Sequence, residues 1–187
     1  MQLWFWYFIV YSFIGFCLEK IYASATHATN QVRKCFLFLP LCPVYGLAMT
    51  AAAALIPSGW PFFAMAAMGG LICTGAEYLV HWLYDALLSV RFWDYTEEPM
   101  NLRGRVCLRF TAAWGLLSAL GLKLLQPGLA VLAEAAPPEA AAWAWLLLTM
   151  DGTLSAAVLH RWHDTQLLSL PSLVRQVRAS SQSSTSR

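Results

Sequence analysis

From Cys35 to Ala76 the chain runs for 42 residues without an Asp, Glu, Lys or Arg. No soluble core within 187 residues could bury such a run. Charged residues make up 12% of the chain and hydrophobic residues 59%, whereas a soluble domain carries roughly 25% charge. These features exclude a secreted disulfide scaffold, a disordered chain and an ordinary cytosolic enzyme. The chain reads as an all-α, polytopic membrane helix bundle. Residues 1–165 are expected to form one transmembrane domain. Residues 166–187 are expected to be a cytoplasmic tail, partly an interfacial helix and then disordered.

A helical span needs roughly 20 mostly apolar residues. Five segments qualify: Met1 to about Ile21, Phe36 to Ile56, Phe62 to Leu88, Cys107 to Leu125, and Ala140 to Leu159. Breakers at Pro57-Ser58-Gly59-Trp60-Pro61 and Pro137-Pro138 separate them. Of the 12 Lys and Arg residues, 11 fall in three places. Lys20, Arg33 and Lys34 sit between spans one and two. Arg91, Arg103, Arg105 and Arg109 sit between three and four. Arg161, Arg175, Arg178 and Arg187 follow span five. The positive-inside rule then predicts the N-terminus outside, the C-terminus inside and five spans, in the cytoplasmic membrane of a bacterium. Lys123 lies toward the outer end, where its stem can snorkel. Ala23-Ser24-Ala25 has the look of a signal-peptide cleavage site. The segment before it lacks a basic n-region and is too long for an h-region, so it is read as a retained span. The five cysteines contain no CxxC and read as small apolar residues or thiols, not as bridges or metal ligands.

The second span is broken. Pro40 and Pro43 interrupt Phe36-Leu37-Phe38-Leu39-Pro40-Leu41-Cys42-Pro43-Val44-Tyr45-Gly46. A helix from Val44 to Ile56 would be roughly 20 Å long, too short to cross. Residues 36–43 must complete the crossing as kinked or irregular backbone, which survives only under protein or beside a wet cavity. Interrupted spans also mark binding sites in transporters.

Ionisable groups recur at membrane depth. Glu77 is near the middle of span three. His81 follows four residues later and Asp85 four beyond that, which places the two carboxylates on one face about 12 Å apart. That spacing is too wide for one shared metal, and no metal site or cofactor is expected. Asp151 is mid-span in the fifth segment, and Glu19 ends the first. Each needs a partner, with Lys20, Lys34 and the arginines near residue 105 as candidates. Ala66, Gly70 and Thr74 form a small-residue stripe suited to close helix packing, either internal or between copies. The connection from Arg91 to Arg105 is the chemically densest stretch. Trp93 and Tyr95 suit an interfacial anchor, Asp94 and Asn101 a turn, and Arg103 and Arg105 an acidic partner or lipid phosphate.

At these residues the sequence resembles a known family. Tyr11-Ser12-Phe13-Ile14-Gly15-Phe16 with Glu19, then Lys34 to Gly46, is similar to the opening motifs of the ABC-transporter type IV permease-like (CmpB-type) family of small bacterial membrane proteins. Glu77-Tyr78 with Asp85 resembles its next motif. Trp93-Asp94-Tyr95-Thr96, with Asn101, Gly104, Arg105 and Trp114-Gly115, resembles the last. The likeness spans roughly residues 5–165. Lys34 stands where the family usually has Arg, Cys35 and Leu39 where it has Gly, His81 where it has Gly, and Asp85 where it has Glu. Lys34 lacks the bidentate fork of an arginine.

The resemblance implies a transport role. The chain has no GxxxxGK[ST] phosphate loop, so ATP would be bound by a separate ABC ATPase subunit. The arginine-rich connection would be its docking surface, and so few spans imply a homo-oligomer. In this reading Glu19, Lys34, Pro40, Pro43, Tyr45, Glu77, His81 and Asp85 line a substrate or ion path. Membrane lipids are the other expected partner, and no nucleic acid is. An alternative is a membrane enzyme acting on a lipid or isoprenoid phosphate at the cytoplasmic leaflet, with Arg103 and Arg105 on the phosphate and Asp94 or Glu77 as base or metal ligand. A third reading is a non-catalytic scaffold.

Overall fold

The computed structural model describes residues 2–26, 35–169, 172–176 and 178. Lys34, one of the expected path residues, lies outside them. The apolar segments fold as helices: α1 (Gln2–Ala25), α2 (Pro43–Leu55), α3 (Phe62–Leu88), α4 (Leu108–Leu120), α5 (Gln126–Ala135) and α6 (Pro138–Trp162). Three runs, α1, α3 and α6, are long and apolar enough to cross a membrane, as is the continuous stretch Leu108–Ala135. The protein is an all-α membrane helix bundle. Its only described strands are the two-residue β1 (Asn101–Leu102) and β2 (Val106–Cys107), paired antiparallel.

The fourth span differs from expectation. It was expected to end at Leu125, yet the helix continues to Ala135. Pro127 has no N–H and would leave the Lys123 carbonyl unmatched in a regular helix. The chain passes this point through a π-helical turn at Gly121–Leu125, in which the Gln126 N–H bonds the Gly121 carbonyl five residues back. The Tyr11 hydroxyl from α1 donates to Gln126 Oε1 at 2.7 Å, fastening α1 to this turn.

The helix of the expected second span is short, as the prolines required. α2 has 13 residues and begins at Pro43. Residues 36–42 are irregular. Their amides are matched from other helices: Phe38 N–H and Leu39 N–H donate to Asp151 Oδ1 and Oδ2 of α6 at 3.2 and 3.0 Å. The Cys42 N–H donates to the Ser12 carbonyl of α1 at 2.9 Å. Asp151 was expected to pair with a cation, but it caps non-helical backbone instead. A carboxylate on two amides is a charge-assisted arrangement that makes such backbone tolerable at depth.

α1 packs on α2, and α3 on α4. The small-residue stripe serves the second of these contacts. A Cβ on Gly115 would lie 2.6 Å from the Ala66 carbonyl, and Thr74 bonds Thr111 across the seam at 3.0 Å. The ends of α1, α3 and α6 and the start of α4 gather at one end of the bundle, where the α3–α4 connection with Arg91, Arg103 and Arg105 lies. There Val90, Phe92, Leu159 and Leu168 form a small core, and the His163 Nδ1–H donates to the Leu88 carbonyl at 2.7 Å. Leu168 is therefore docked on the bundle.

Candidate functional site

Two carboxylates from different helices face one cavity of about 390 Å³ near that basic end. Its size is within the usual range for small-molecule sites. Glu19 comes from the last turns of α1 and Glu77 from the middle of α3. Tyr45, in the first turn of α2, donates its hydroxyl to Glu19 Oε1 at 2.9 Å. Glu77 is 5% exposed and accepts two bonds. Tyr95 donates to its Oε1 at 3.0 Å, and the Trp114 indole N–H of α4 donates to its Oε2 at 2.8 Å. All three donors are neutral. No described side chain forms an ion pair with either carboxylate.

The walls are aromatic. The Tyr45 and Trp114 rings lie 4.7 Å apart, and Tyr95 stacks on Phe110 at 4.8 Å. Tyr22 of α1 meets Phe110 edge-on at 6.4 Å, and Trp93 completes the lining. Burial, the Glu77 carboxylate and then the Glu19 carboxylate push the Tyr95 phenol far above its ordinary range. Tyr95 thus stays a donor, and both acids bear on it.

Tyr95 reaches the cavity because residues 89–107 form a tightly bonded cap. Asp94 accepts from the Thr96 N–H at 2.9 Å and from the Thr96 hydroxyl, which holds the Asp94 carboxyl below its usual range. The Asn101 amide donates to the carbonyls of Thr96 and Glu98 at 3.1 and 2.9 Å and accepts from the Gly104 N–H at 3.0 Å. The Gly104 carbonyl accepts from the Tyr95 N–H at 2.8 Å. Gly104 has φ +67°, and a Cβ there would lie 2.7 Å from Asp94 Oδ1. No other residue fits that corner comfortably.

The remaining expected residues fall elsewhere. His81 is buried one turn beyond Glu77. Its Nε2–H donates to the Trp93 carbonyl at 3.0 Å, and its ring meets Trp93 edge-on at 5.2 Å. It therefore positions a cavity wall without lining it. Asp85 pairs with Arg105 at 3.0 Å and Arg91 at 3.5 Å, outside the cavity. Arg105 also donates to the Tyr78 hydroxyl at 3.3 Å, and the Trp93 indole N–H donates to its carbonyl at 3.0 Å. Asp85 with its hydrogen bond holds the Arg105 guanidinium above its ordinary value. Pro43 starts α2 and Pro40 lies in the irregular segment; Cys42 and Val44 beside them line the cavity. Arg103 stands exposed at the tip of the β1–β2 turn with φ +56°.

So the structure brings Glu19, Tyr45 and Glu77 together with Trp93 and Tyr95. Trp114, Phe110 and Tyr22 complete the site, and sequence reasoning had not placed them there. An aromatic residue in an apolar helix carries no mark of which face it serves. Only Trp114 stood inside a recognised motif. Among the described residues no group of three His, Cys, Asp or Glu side chains is placed to hold a metal.

The fold and cavity define a polytopic α-helical membrane protein with an internal, acid-and-ring-lined site. The chain belongs to the family described as "Putative ABC-transporter type IV", whose model matches residues 6–156. That match covers every cavity residue. No curated protein and no solved structure matches the chain.

Proposed function

We propose that the protein is a permease-like membrane subunit of an ABC-type system. The cavity between Glu19 and Glu77 is its substrate site, and a separate subunit supplies ATP hydrolysis. The observation that carries this reading is a small-molecule-sized cavity built from four of the bundle's helices and the cap, with two carboxylates held in place by Tyr45, Tyr95 and Trp114. A structural ion-pair network would instead join these acids to cations, as Asp85 is joined to Arg105. The described basic connection between α3 and α4 lies at the end that holds the cavity, and by the positive-inside rule that end would face the bacterial cytoplasm, with the N-terminus outside. The exposed turn at Leu102-Arg103, with Met100, is the docking surface in this reading. The lipid-phosphate enzyme finds less support. Arg105 is engaged by Asp85, Asp94 is engaged by Thr96, and the cavity presents carboxylates where a phosphate would have to sit.

The test is affinity purification of the tagged full chain in mild detergent, with and without crosslinking, followed by mass spectrometry. The reading expects a stoichiometric ABC ATPase that is lost when Arg103 becomes Glu. A homo-oligomer with no ATPase under both conditions refutes the ABC assignment.

A further inference from the structure

The cavity's chemistry is one-sided. Among the described residues, the only charged groups that line it are the carboxylates of Glu19 and Glu77; no described Lys, Arg or His does. Its strong hydrogen-bond donors are already committed. The hydroxyls of Tyr45 and Tyr95 and the indole N–H of Trp114 all point at those carboxylates. An anionic guest would meet two like charges and few free donors. A sugar would find few open partners for its hydroxyls. What the walls do offer is negative charge and aromatic rings. Tyr45 against Trp114 and Tyr95 against Phe110 form two ring pairs bracketing the acids, at 4.7 and 4.8 Å. Rings and carboxylates lining one space are the two devices that bind organic ammonium groups. The rim adds Leu18, Ile21 and Leu117, so the guest's remaining part is apolar.

We infer that the cavity binds an amphipathic organic cation, a quaternary or protonated ammonium group on an apolar body, with the ammonium between Glu19 and Glu77 and against the rings of Tyr45, Tyr95 and Trp114. The inference deepens the permease reading by naming the substrate class of the same cavity. It needs no ATPase to be tested. The ammonium has two possible sources, a free organic cation or the amine headgroup of a membrane lipid.

The test uses the purified full chain in dodecyl maltoside and a fluorescent styrylpyridinium cation, 4-(4-dimethylaminostyryl)-N-methylpyridinium. Its uncharged parent, without the N-methyl group, is the control. Saturable binding of the cation is expected. Glu77→Gln and Glu19→Gln should each raise Kd about tenfold or more, since each removes one of the two charges facing the guest. Glutamine at 19 keeps an oxygen for Tyr45; at 77 its oxygen can accept from Trp114 while its NH2 donates to the Tyr95 hydroxyl, which can accept where a backbone amide cannot, so both variants should hold their thermal unfolding midpoint, which is measured alongside. Competition then separates the sources. Displacement of the dye by short-chain phosphatidylethanolamine, but not by phosphatidylglycerol, identifies the lipid amine. Failure of both lipids to compete identifies a free cation. Either outcome supports an ammonium site. No saturable binding, or equal Kd values in the wild type and both variants, overturns it. Tight binding of the uncharged parent, indifferent to both substitutions, overturns the cation but leaves the cavity as a substrate site.

Discussion

Replacing Asp151 with Ala should unfasten the irregular half of the second span. In the native chain its two carboxylate oxygens accept from the amides of Phe38 and Leu39, at 3.2 and 3.0 Å. Those amides come from residues 112 and 113 positions away, and the segment they belong to has no helical ladder to fall back on. Each of these bonds to a charged acceptor is worth about 1.5–3 kcal/mol, so losing both costs about 3–6 kcal/mol. For a chain of this size each kcal/mol lowers the unfolding midpoint by about 2–4 °C. Asp151→Ala is therefore expected to lower it by about 6–24 °C. Asp151→Asn keeps one acceptor oxygen but turns an NH2 group toward the second amide. It should fall between wild type and Ala. The assay is thermal unfolding in maltoside, followed by intrinsic fluorescence. Because Cys42 and Val44 line the cavity just after this segment, the same series should weaken any ligand of the cavity in the same order. An Asp151→Ala protein that unfolds within about 1 °C of wild type, less than one hydrogen bond's worth, refutes the capping role.

Three further outcomes follow from contacts at the cavity and its cap. Gly104→Ala puts a Cβ at a left-handed backbone position and against Asp94 and Thr96, so stability should fall by about 1–3 kcal/mol, read by the same unfolding assay. Gly15→Ala places a Cβ 2.2 Å from Tyr45 Cγ, which drives the ring away from Glu19. It should cost about 1–3 kcal/mol and disturb the cavity, whereas Gly59→Ala, in open space, should do neither. The Asp94 carboxyl is held below its ordinary range by Thr96, so its contribution to stability is present above the unfolded-chain pKa of about 3.9 and is lost as pH falls through its lower folded value. Thr96→Val removes the hydroxyl's share of that contribution, the larger one, while the backbone N–H bond stays, and should shrink the difference in unfolding midpoint between pH 7 and about pH 3.

The helical architecture was open to reading because hydropathy and breakers act locally. The 42-residue uncharged run, the turn at Pro57 to Pro61 and the Pro137-Pro138 break each mark their element directly. The shortness of α2 followed from Pro43 in the same way. The continuation through Pro127 did not, because a proline's local cost can be absorbed by a π turn when a neighbour such as Tyr11 secures it. The partner of Asp151 was hidden for a different reason. It is backbone, and backbone amides carry no sequence signature. The cap shows the limits of motif reading most clearly. Asp94, Asn101 and Gly104 look like chemistry in a row, yet they hold one another, and the residue they deliver to the cavity is Tyr95. Glu77 and Asp85, expected to act together, are divided by the fold. Arg105 claims Asp85, while Tyr95 and Trp114 claim Glu77.

The central claim is that Glu19 and Glu77 face one shared, accessible cavity. Modification with the lipophilic carboxylate reagent dicyclohexylcarbodiimide, followed by peptide mapping and intact mass, tests it most directly. A cavity of about 390 Å³ has room for one bulky dicyclohexyl adduct. The account predicts chains modified at Glu19 or at Glu77, with doubly modified chains far below their statistical share. Doubly modified chains at that share, or a Glu77 that never reacts, would contradict it.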